Sequence, residues 1–266
     1  MSTCATHGIV AHPASSAVAQ YRGEVLPQDG HVHSQFSWDA ALGDMRATCA
    51  RAVALGLRSL AFTEHVDLTP WARPDGALPE HYRGHLAGGV FLARPLDAAA
   101  YLEEVERCRR AFPDLRVLSG VELSEGHWHP RETADLLARA PVDRVLGSVH
   151  ALADLRRDPV GSAHVEVGDG YAQRRPVEVV RAYLEEVAAM ARSDAPFAVL
   201  AHIDYPLRHW PGDAGPVPWA ALEEVFRAAL ADLAASGRAL EVNTRLPLSP
   251  RVVDWWREEG LSLIHI

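Results

Sequence analysis

Cysteine and long apolar runs are both scarce in this 266-residue chain. The three cysteines, Cys4, Cys49 and Cys108, lie far apart and form no CxxC pair. A disulfide framework and a structural cysteine–zinc site are therefore excluded, and we expect a reduced cytoplasmic compartment with Cys49 and Cys108 buried on helix faces. No apolar run reaches the ~18 residues that a membrane span needs. Residues 1–19 lack a basic region followed by an apolar one, so no signal peptide and no membrane partner are predicted.

Positive charge is also in deficit. The chain has 26 basic and 35 acidic residues, a net charge of −9. Proteins that bind a phosphate backbone are usually basic, because binding is driven by counterion release, so we do not expect nucleic acid as a partner. Apolar residues make up 48% and charged residues 23%, which is typical of one large globular domain. Histidine, by contrast, is abundant at 14 residues.

Short apolar runs alternate with amphipathic stretches after a lead-in, residues 1–28, that we expect to be loosely ordered. This alternation predicts an α/β fold with a parallel sheet or barrel. Two irregular segments, 66–96 and 151–175, are expected to be functional loops or insertions. The predicted strands are 57–62, 115–121, 142–149, 197–203 and 239–242, with a shorter strand before His31. The predicted helices are 43–55, 97–111, 131–140, 176–191 and 219–235.

Each predicted strand ends in polar residues of the kinds that bind metals. In an α/β barrel these ends share one face, where active sites are built. Imidazoles together with carboxylates suit Zn, Mn or Fe better than Ca or Mg. The set is too large for one ion, and a bridging Glu122 would let it serve two or three. Its members are His31, His33, Asp39, His65, Glu122, His150 and His202.

Six motifs together resemble the polymerase and histidinol phosphatase (PHP) family of metal-dependent phosphoesterases. They occur in family order, cover residues 29–245 and lean toward the histidinol-phosphatase branch. The resemblance implies a distorted (β/α)7 barrel related to the TIM barrel. The motifs are HVHSQFSWD (31–39), FTEHVD (62–67), GVE (120–122), GSVH (147–150), AHIDYPLR (201–208) and EVNT (241–244).

The resemblance also implies a trinuclear metal site whose ions share Glu122. Glu122 and His202 are the predicted catalytic residues, and Glu64 and Asn243 would orient the ligands. The implied ligand sets are His31, His33 and Glu122 for the first ion, Glu122, His150 and His202 for the second, and Asp39 and His65 for the third.

Two arginines follow the fifth and sixth motifs and would lie on the metal face. Arg208 and Arg245 are the candidate phosphate ligands, because a guanidinium can grip phosphate in a bidentate manner. The alternative for each is a surface arginine or one that fastens a loop. This alternative is as good as phosphate binding for Arg208 and is preferred for Arg245.

The C-terminus departs from the family pattern. A Gly-Ser-Asp-Ala-His-like motif normally closes the barrel, and it is absent here. Residues 261–266 back-translate into a sequencing-library adapter, so we interpret them as a non-native tail after a domain of residues 29–260. The barrel would then lack its seventh strand through truncation, which would impair the active site. The alternative is a native short seventh strand in which His265 replaces the lost histidine.

Three functions fit these patterns. The first is hydrolysis of a small phosphate monoester by metal-activated water, with L-histidinol phosphate of histidine biosynthesis as the best candidate. The second is a PHP-type nuclease or nucleotide phosphoesterase, and the third is a non-catalytic metal-binding PHP fold. All three require two or three divalent ions. The oligomeric state is left open by the sequence.

Overall fold

The computed structural model describes residues 28–40, 42–73, 84–155, 163–243, 248–259 and the strand 264–265. The predicted lead-in over 1–28 therefore lies almost wholly outside the described residues. The strands are β1 (Asp29–Val32), β2 (Ser59–Asp67), β3 (Trp71–Ala72), β4 (Leu86–Ala87), β5 (Val90–Phe91), β6 (Arg116–Ser124), β7 (Arg144–Ser148), β8 (Ala151–Ala153), β9 (His164–Glu166), β10 (Val199–Leu200), β11 (Ala239–Val242) and β12 (Ile264–His265). The helices are α1 (Met45–Leu55), α2 (Ala98–Ala111), α3 (Pro130–Arg139), α4 (Pro176–Arg192), α5 (Trp219–Ala235) and α6 (Pro250–Glu258).

Seven parallel strands form the main sheet, in the order β1-β2-β6-β7-β10-β11-β12. Because all of them run in one direction, their carboxyl ends lie along one edge, as predicted for the α/β fold. Among the described strands, β1 and β12 are the two ends of this order.

Amphipathic helices cover the sheet as their sequence periodicity predicts. Buried side chains of α4 and α5 lie in one cluster with the sheet residue Leu200 and with Trp256 of α6. Each of these helices presents an apolar stripe at helical spacing, and its burial is the main driving force for packing. The buried stripe residues are Val180, Leu184 and Val187 in α4 and Leu222, Phe226, Leu230 and Leu233 in α5.

One tyrosine stabilises the long pairing of β2 with β6 through hydrogen bonds to both strands. The Tyr101 hydroxyl of α2 lies 2.9 Å from the Phe62 carbonyl oxygen and accepts the Gly120 N–H at 2.7 Å. Glycine is needed at position 120, because a Cβ there would lie 2.8 Å from Thr63 Cγ2. The tyrosine thus holds in register the two strands that carry His65 and Glu122.

The second sheet was not expected from the sequence. Segments 66–96 and 151–175, predicted as irregular, contribute short strands in the order β4-β5-β3-β9-β8. These strands are two or three residues long, too short to show an apolar pattern, although the Gly88-Gly89 pair between β4 and β5 is a local hairpin signal. Helix α6 was also not predicted.

The seventh strand position is filled. Residues Ile264–His265 pair in parallel with β11, opposite Glu241 and Val242. A strand therefore lies at the seventh position of the sheet, where the truncation hypothesis expected none, and the replacement of the lost histidine by His265 stays a prediction. The pairing does not test the origin of residues 261–266, which stays a prediction.

Two further expectations can be compared with the structure. Cys49 and Cys108 are buried on α1 and α2, as predicted, whereas Cys4 lies outside the described residues. None of the helices in the described ranges combines the length and apolarity needed to cross a bilayer.

Candidate active site

The carboxyl edge of the main sheet opens into a cavity of about 850 Å³. Each of the six strand ends that the sequence marks as polar contributes at least one side chain to its lining. His31 lies on β1, His65 and Asp67 on β2, Glu122 on β6 and Glu241 on β11. His150 and His202 lie two residues beyond β7 and β10, and His33 and Asp39 follow β1. The parallel topology has therefore gathered residues that are up to 210 positions apart.

Glu122 is the centre of this cluster. Its side chain is fully buried, and both carboxylate oxygens face imidazoles rather than solvent. One carboxylate contacts several imidazole rings at once, as expected for a residue that bridges two cations. The nearest imidazole nitrogens are those of His202 at 2.6 Å, His31 at 3.0 Å, His65 at 3.2 Å, and His33 and His150 each at 3.4 Å.

The site contains three groups of candidate metal ligands, and within each group the ligand atoms lie within 4.8 Å of one another. Two of them have the same members as the sets implied for the first and second ions. The third differs, since it combines His65 with Asp67 and His150 instead of Asp39. Asp39 still lies close, with its Oδ2 3.3 Å from His65 Nε2. The groups are His31, His33 and Glu122; Glu122, His150 and His202; and His65, Asp67 and His150.

The donor set fits divalent transition metals. Five imidazoles with carboxylates and no thiolate suit Zn, Mn or Fe. His65 Nδ1 faces the Glu122 carboxylate at 3.2 Å, is buried and has no hydrogen-bond partner within the described part of the chain. An orphaned buried nitrogen costs free energy, and a cation ligated there would remove that cost.

The charged groups of the cluster shift one another's pKa values. Burial favours the neutral form of Glu122, yet His31, His65 and His202 keep the pKa of its carboxyl well below the ordinary value. Burial also opposes a charge on His31, but the Glu122 and Glu241 carboxylates outweigh it and raise the pKa of His31 to about 10. An imidazolium proton therefore occupies this site when no cation does.

The other rings divide into charged and neutral ones. Burial opposes the charge of His150, but its Asp67 partner raises the pKa of His150 well above the ordinary value. Burial, followed by the charge of His65, lowers the pKa of His33 to about 3. Burial also lowers the pKa of His202, even though Glu122 lies beside it. The neutral rings of His33 and His202 are therefore ready to ligate a metal.

A buried carboxylate supports the metal face from behind. Glu64 accepts hydrogen bonds from Ser34 Oγ at 2.5 Å and Ser37 Oγ at 2.6 Å. Ser37 Oγ lies 3.2 Å from His33 Nδ1 and accepts the backbone N–H of His65 at 3.0 Å. Glu64 thus acts through Ser37 on the His33 ring and on the His65 backbone rather than by direct contact.

Glu241 performs a similar task on the opposite side. It lies 3.1 Å from His31 Nδ1 and accepts the backbone N–H of His202 at 2.8 Å. Asn243 lies at the cavity and donates to Glu241 at 3.4 Å. The His202 backbone has φ +25°, an uncommon value for a non-glycine residue, and the Glu241 hydrogen bond helps to hold it.

Arg208 is the one arginine of the predicted pair that can be placed. It lines the cavity, and its Nε and Nη2 are buried without a hydrogen-bond partner among the residues described. Its nearest carboxylate is Asp204, at 3.6 Å from Nη2. Arg245 lies outside the described residues.

Sequence reasoning missed Asp67 and Glu241 as members of the site. Both lie inside quoted motifs, FTEHVD and EVNT, so a signal was present. Asp67 is two residues after His65, and Glu241 is two residues before Asn243. On a strand, residues two apart face the same side, and this rule could have found both.

The chain is similar to histidinol phosphatases of known sequence and structure. A histidinol-phosphatase of Lactococcus lactis subsp. lactis (strain IL1403) is 27% identical over 234 residues, which are 86% of this chain and 76% of that protein. The crystal structure of the histidinol phosphate phosphatase from the same strain, in complex with Zn, L-histidinol and phosphate, matches with a TM-score of 0.66 and 26% identity. The match covers 88% of this chain and 79% of that one.

A Listeria monocytogenes structure described as a histidinol phosphatase supports the fold alone. It matches with a TM-score of 0.65 at 18% identity, over 90% of this chain and 93% of that one. The PHP domain family model matches residues 29–245, the span of the six motifs. That match covers most of the chain, and the chain belongs to the PHP family.

Proposed function

We propose that this protein is a metal-dependent phosphatase that hydrolyses L-histidinol phosphate to L-histidinol and phosphate. The observation that carries the proposal is the convergence of five imidazoles on the buried Glu122 carboxylate, at the floor of a cavity that Arg208 also lines. The Lactococcus relatives supply the choice of substrate. The acidic net charge of −9 favours a small phosphate ester over a nucleic acid.

Two or three divalent cations, Zn, Mn or Fe, would be held by residues of the carboxyl edge. His31 and His33 would hold one ion with Glu122, and His150 and His202 would hold another with the same carboxylate. Asp39 and His65 would hold a third. When bound, such ions activate water and neutralise charge on phosphoryl oxygens.

The side chains themselves bind and orient the substrate. Arg208 would place its unpaired N–H groups on two phosphate oxygens, because a guanidinium matches phosphate geometry. Asp204 lies behind it as an ion-pair partner, with Oδ1 3.6 Å from Nη2. Glu122 and His202 are the proposed catalytic residues, and Glu241 fixes both the His31 ring and the His202 backbone. Water is excluded from behind the site, since Glu64 and Glu122 are fully buried.

Aromatic rings line a further part of the cavity. Trp38, Trp71 and Phe91 border it, with Trp71 stacked on Phe91 at 4.7 Å between ring centroids. Flat apolar faces of this kind can receive an imidazole ring such as that of histidinol. The aromatic side would therefore contribute to the choice of the leaving alcohol.

A panel of phosphate esters tests the proposal. The protein, loaded with Zn or Mn, is assayed for phosphate release from L-histidinol phosphate, nucleoside monophosphates and an oligonucleotide. We expect the highest kcat/KM with histidinol phosphate and a loss of activity in Glu122→Gln. Glu132→Gln, on the exposed face of α3, is the matched control and should keep wild-type activity.

Other results would favour the alternatives. Preferred cleavage of nucleotides or oligonucleotides would assign the protein to the nuclease or nucleotide phosphoesterase class. Full metal content without turnover of any ester would make it a metal-binding fold. From the cysteine pattern we also propose a reduced cytoplasmic location for this protein.

A further inference from the structure

Asp67 is bound on both of its carboxylate oxygens. Its Oδ1 lies 2.8 Å from His150 Nδ1 and accepts the Ser124 hydroxyl at 2.6 Å. Its Oδ2 accepts the indole N–H of Trp38 at 2.6 Å. The side chain is buried, and these partners leave it one orientation. Although Asp67 belongs to one of the three groups of candidate ligand atoms, both of its oxygens are already engaged, so it is better suited to orient a metal ligand than to serve as one.

The ligand that Asp67 orients is His150. Asp67 Oδ1 lies 2.8 Å from His150 Nδ1 and Ser124 Oγ lies 2.7 Å from the same nitrogen, so the ring turns Nε2 toward Glu122, at 3.4 Å. A carboxylate that accepts from one ring nitrogen fixes the tautomer and raises the basicity of the other nitrogen. The Asp67–His150 pair therefore prepares Nε2 for a cation shared with Glu122.

Trp38 belongs to two parts of the site. Its ring lines the cavity and packs on Phe91, with 4.8 Å between ring centroids. Its indole N–H donates a hydrogen bond to Asp67. A charge-assisted hydrogen bond of this length is among the stronger ones in proteins. One side chain thus connects the aromatic wall to the second metal set.

We propose that Trp38 is a positioning residue for the metal centre, because its indole N–H holds Asp67 in the orientation that aligns His150. The inference rests on the proposed function in so far as His150 binds a divalent cation. It adds a specificity consequence, since a leaving group that displaces the Trp38 ring also disturbs the metal ligand. Hydrogen bonds between Trp38 and Asp67 and between Asp67 and His150 connect the aromatic side of the cavity to the metal site.

Trp71 offers a matched control. It lines the same cavity and packs against the same Phe91 ring. Its Nε1, however, is buried and has no hydrogen-bond partner in the described ranges. Replacing either tryptophan with phenylalanine keeps an aromatic wall, but only the change at position 38 removes a hydrogen bond to Asp67.

The experiment compares Zn²⁺ affinities of metal-stripped variants by competition with a chromophoric chelator. Relative to Trp71→Phe, Trp38→Phe should weaken binding about tenfold, and Asp67→Asn about 10–100-fold, as for other groups behind metal ligands. The double variant Trp38→Phe/Asp67→Asn should match Asp67→Asn, because both changes act through one chain of contacts. An affinity of Trp38→Phe within about twofold of Trp71→Phe would overturn the inference.

A second measurement needs no substitution. In the NMR spectrum of the metal-free wild-type protein, the Trp38 indole N–H should be protected from exchange and should shift when Zn²⁺ is added. The Trp71 indole N–H should shift less. Equal responses of the two signals would contradict the coupling, even if Trp38→Phe failed to fold.

The readouts separate this inference from the proposed function. Wild-type protein that binds Zn²⁺ but releases no phosphate from histidinol phosphate would refute the phosphatase proposal alone, and the affinities of the tryptophan variants would still decide the role of Trp38. Wild-type protein that binds no divalent cation would overturn both.

Discussion

Loading the metal-free protein with Zn²⁺ near neutral pH should release protons, and the structure indicates how many. A histidine must be neutral to ligate a metal. The pKa of His31 is raised to about 10 and that of His150 lies well above its ordinary value, so both rings carry a proton beforehand. The pKa values of His33 and His202 are lowered, and these rings have none to lose. The pKa of His65 is also raised, so we expect about two to three protons per fully loaded molecule, and more if a bound water ionises.

Calorimetry in buffers of different ionisation enthalpy measures this number directly. By linkage, release of two to three protons makes the overall binding constant rise about 100- to 1,000-fold per pH unit around neutrality. His127→Gln is a suitable control, because His127 contacts Glu186 rather than Glu122 and should leave the proton count unchanged. Release of less than about one proton would refute the charge assignment of the cluster.

Three further outcomes follow from the same contacts. Tyr101→Phe leaves the Gly120 N–H without its acceptor and should lower the free energy of unfolding by about 1–3 kcal/mol in urea titrations, whereas an unchanged midpoint would contradict the fastening role. In the metal-free protein, the raised pKa of His31 contributes stability that is complete below its unfolded pKa of about 6.5 and is lost as the pH rises toward 10, so urea midpoints in chelator should fall over that range. Arg208→Lys keeps the charge but loses the planar fork and should lower kcat/KM for histidinol phosphate about 10–100-fold; a wild-type value would remove Arg208 from the phosphate site.

Periodic patterns predicted the layered part of the fold well. Helices α4 and α5 match the predicted 176–191 and 219–235 within one residue, because their apolar stripes are long and buried. Strand β2 was predicted to end at residue 62 but continues to Asp67. Four of its last five residues are polar (Thr63, Glu64, His65 and Asp67), and they interrupt the apolar pattern where the site begins.

The sequence predicts which residues belong to the site better than it predicts what each of them does. Glu122 and the five histidines follow from polar strand ends, since parallel strands bring them to one edge. The distinction between Asp39 and Asp67 does not follow, because it depends on which oxygen meets which ring. The bond from Trp38 to Asp67 joins residues 29 positions apart across a loop and a strand, and no spacing rule marks it.

The central claim is that metals at this edge hydrolyse histidinol phosphate. The most direct measurement titrates Zn²⁺ or Mn²⁺ into the metal-free protein and follows both bound metal and phosphate release from L-histidinol phosphate. The account predicts that activity is absent without metal, rises with occupancy and is removed again by chelator. Full occupancy without phosphate release, or phosphate release that persists in chelator without bound metal, would contradict it.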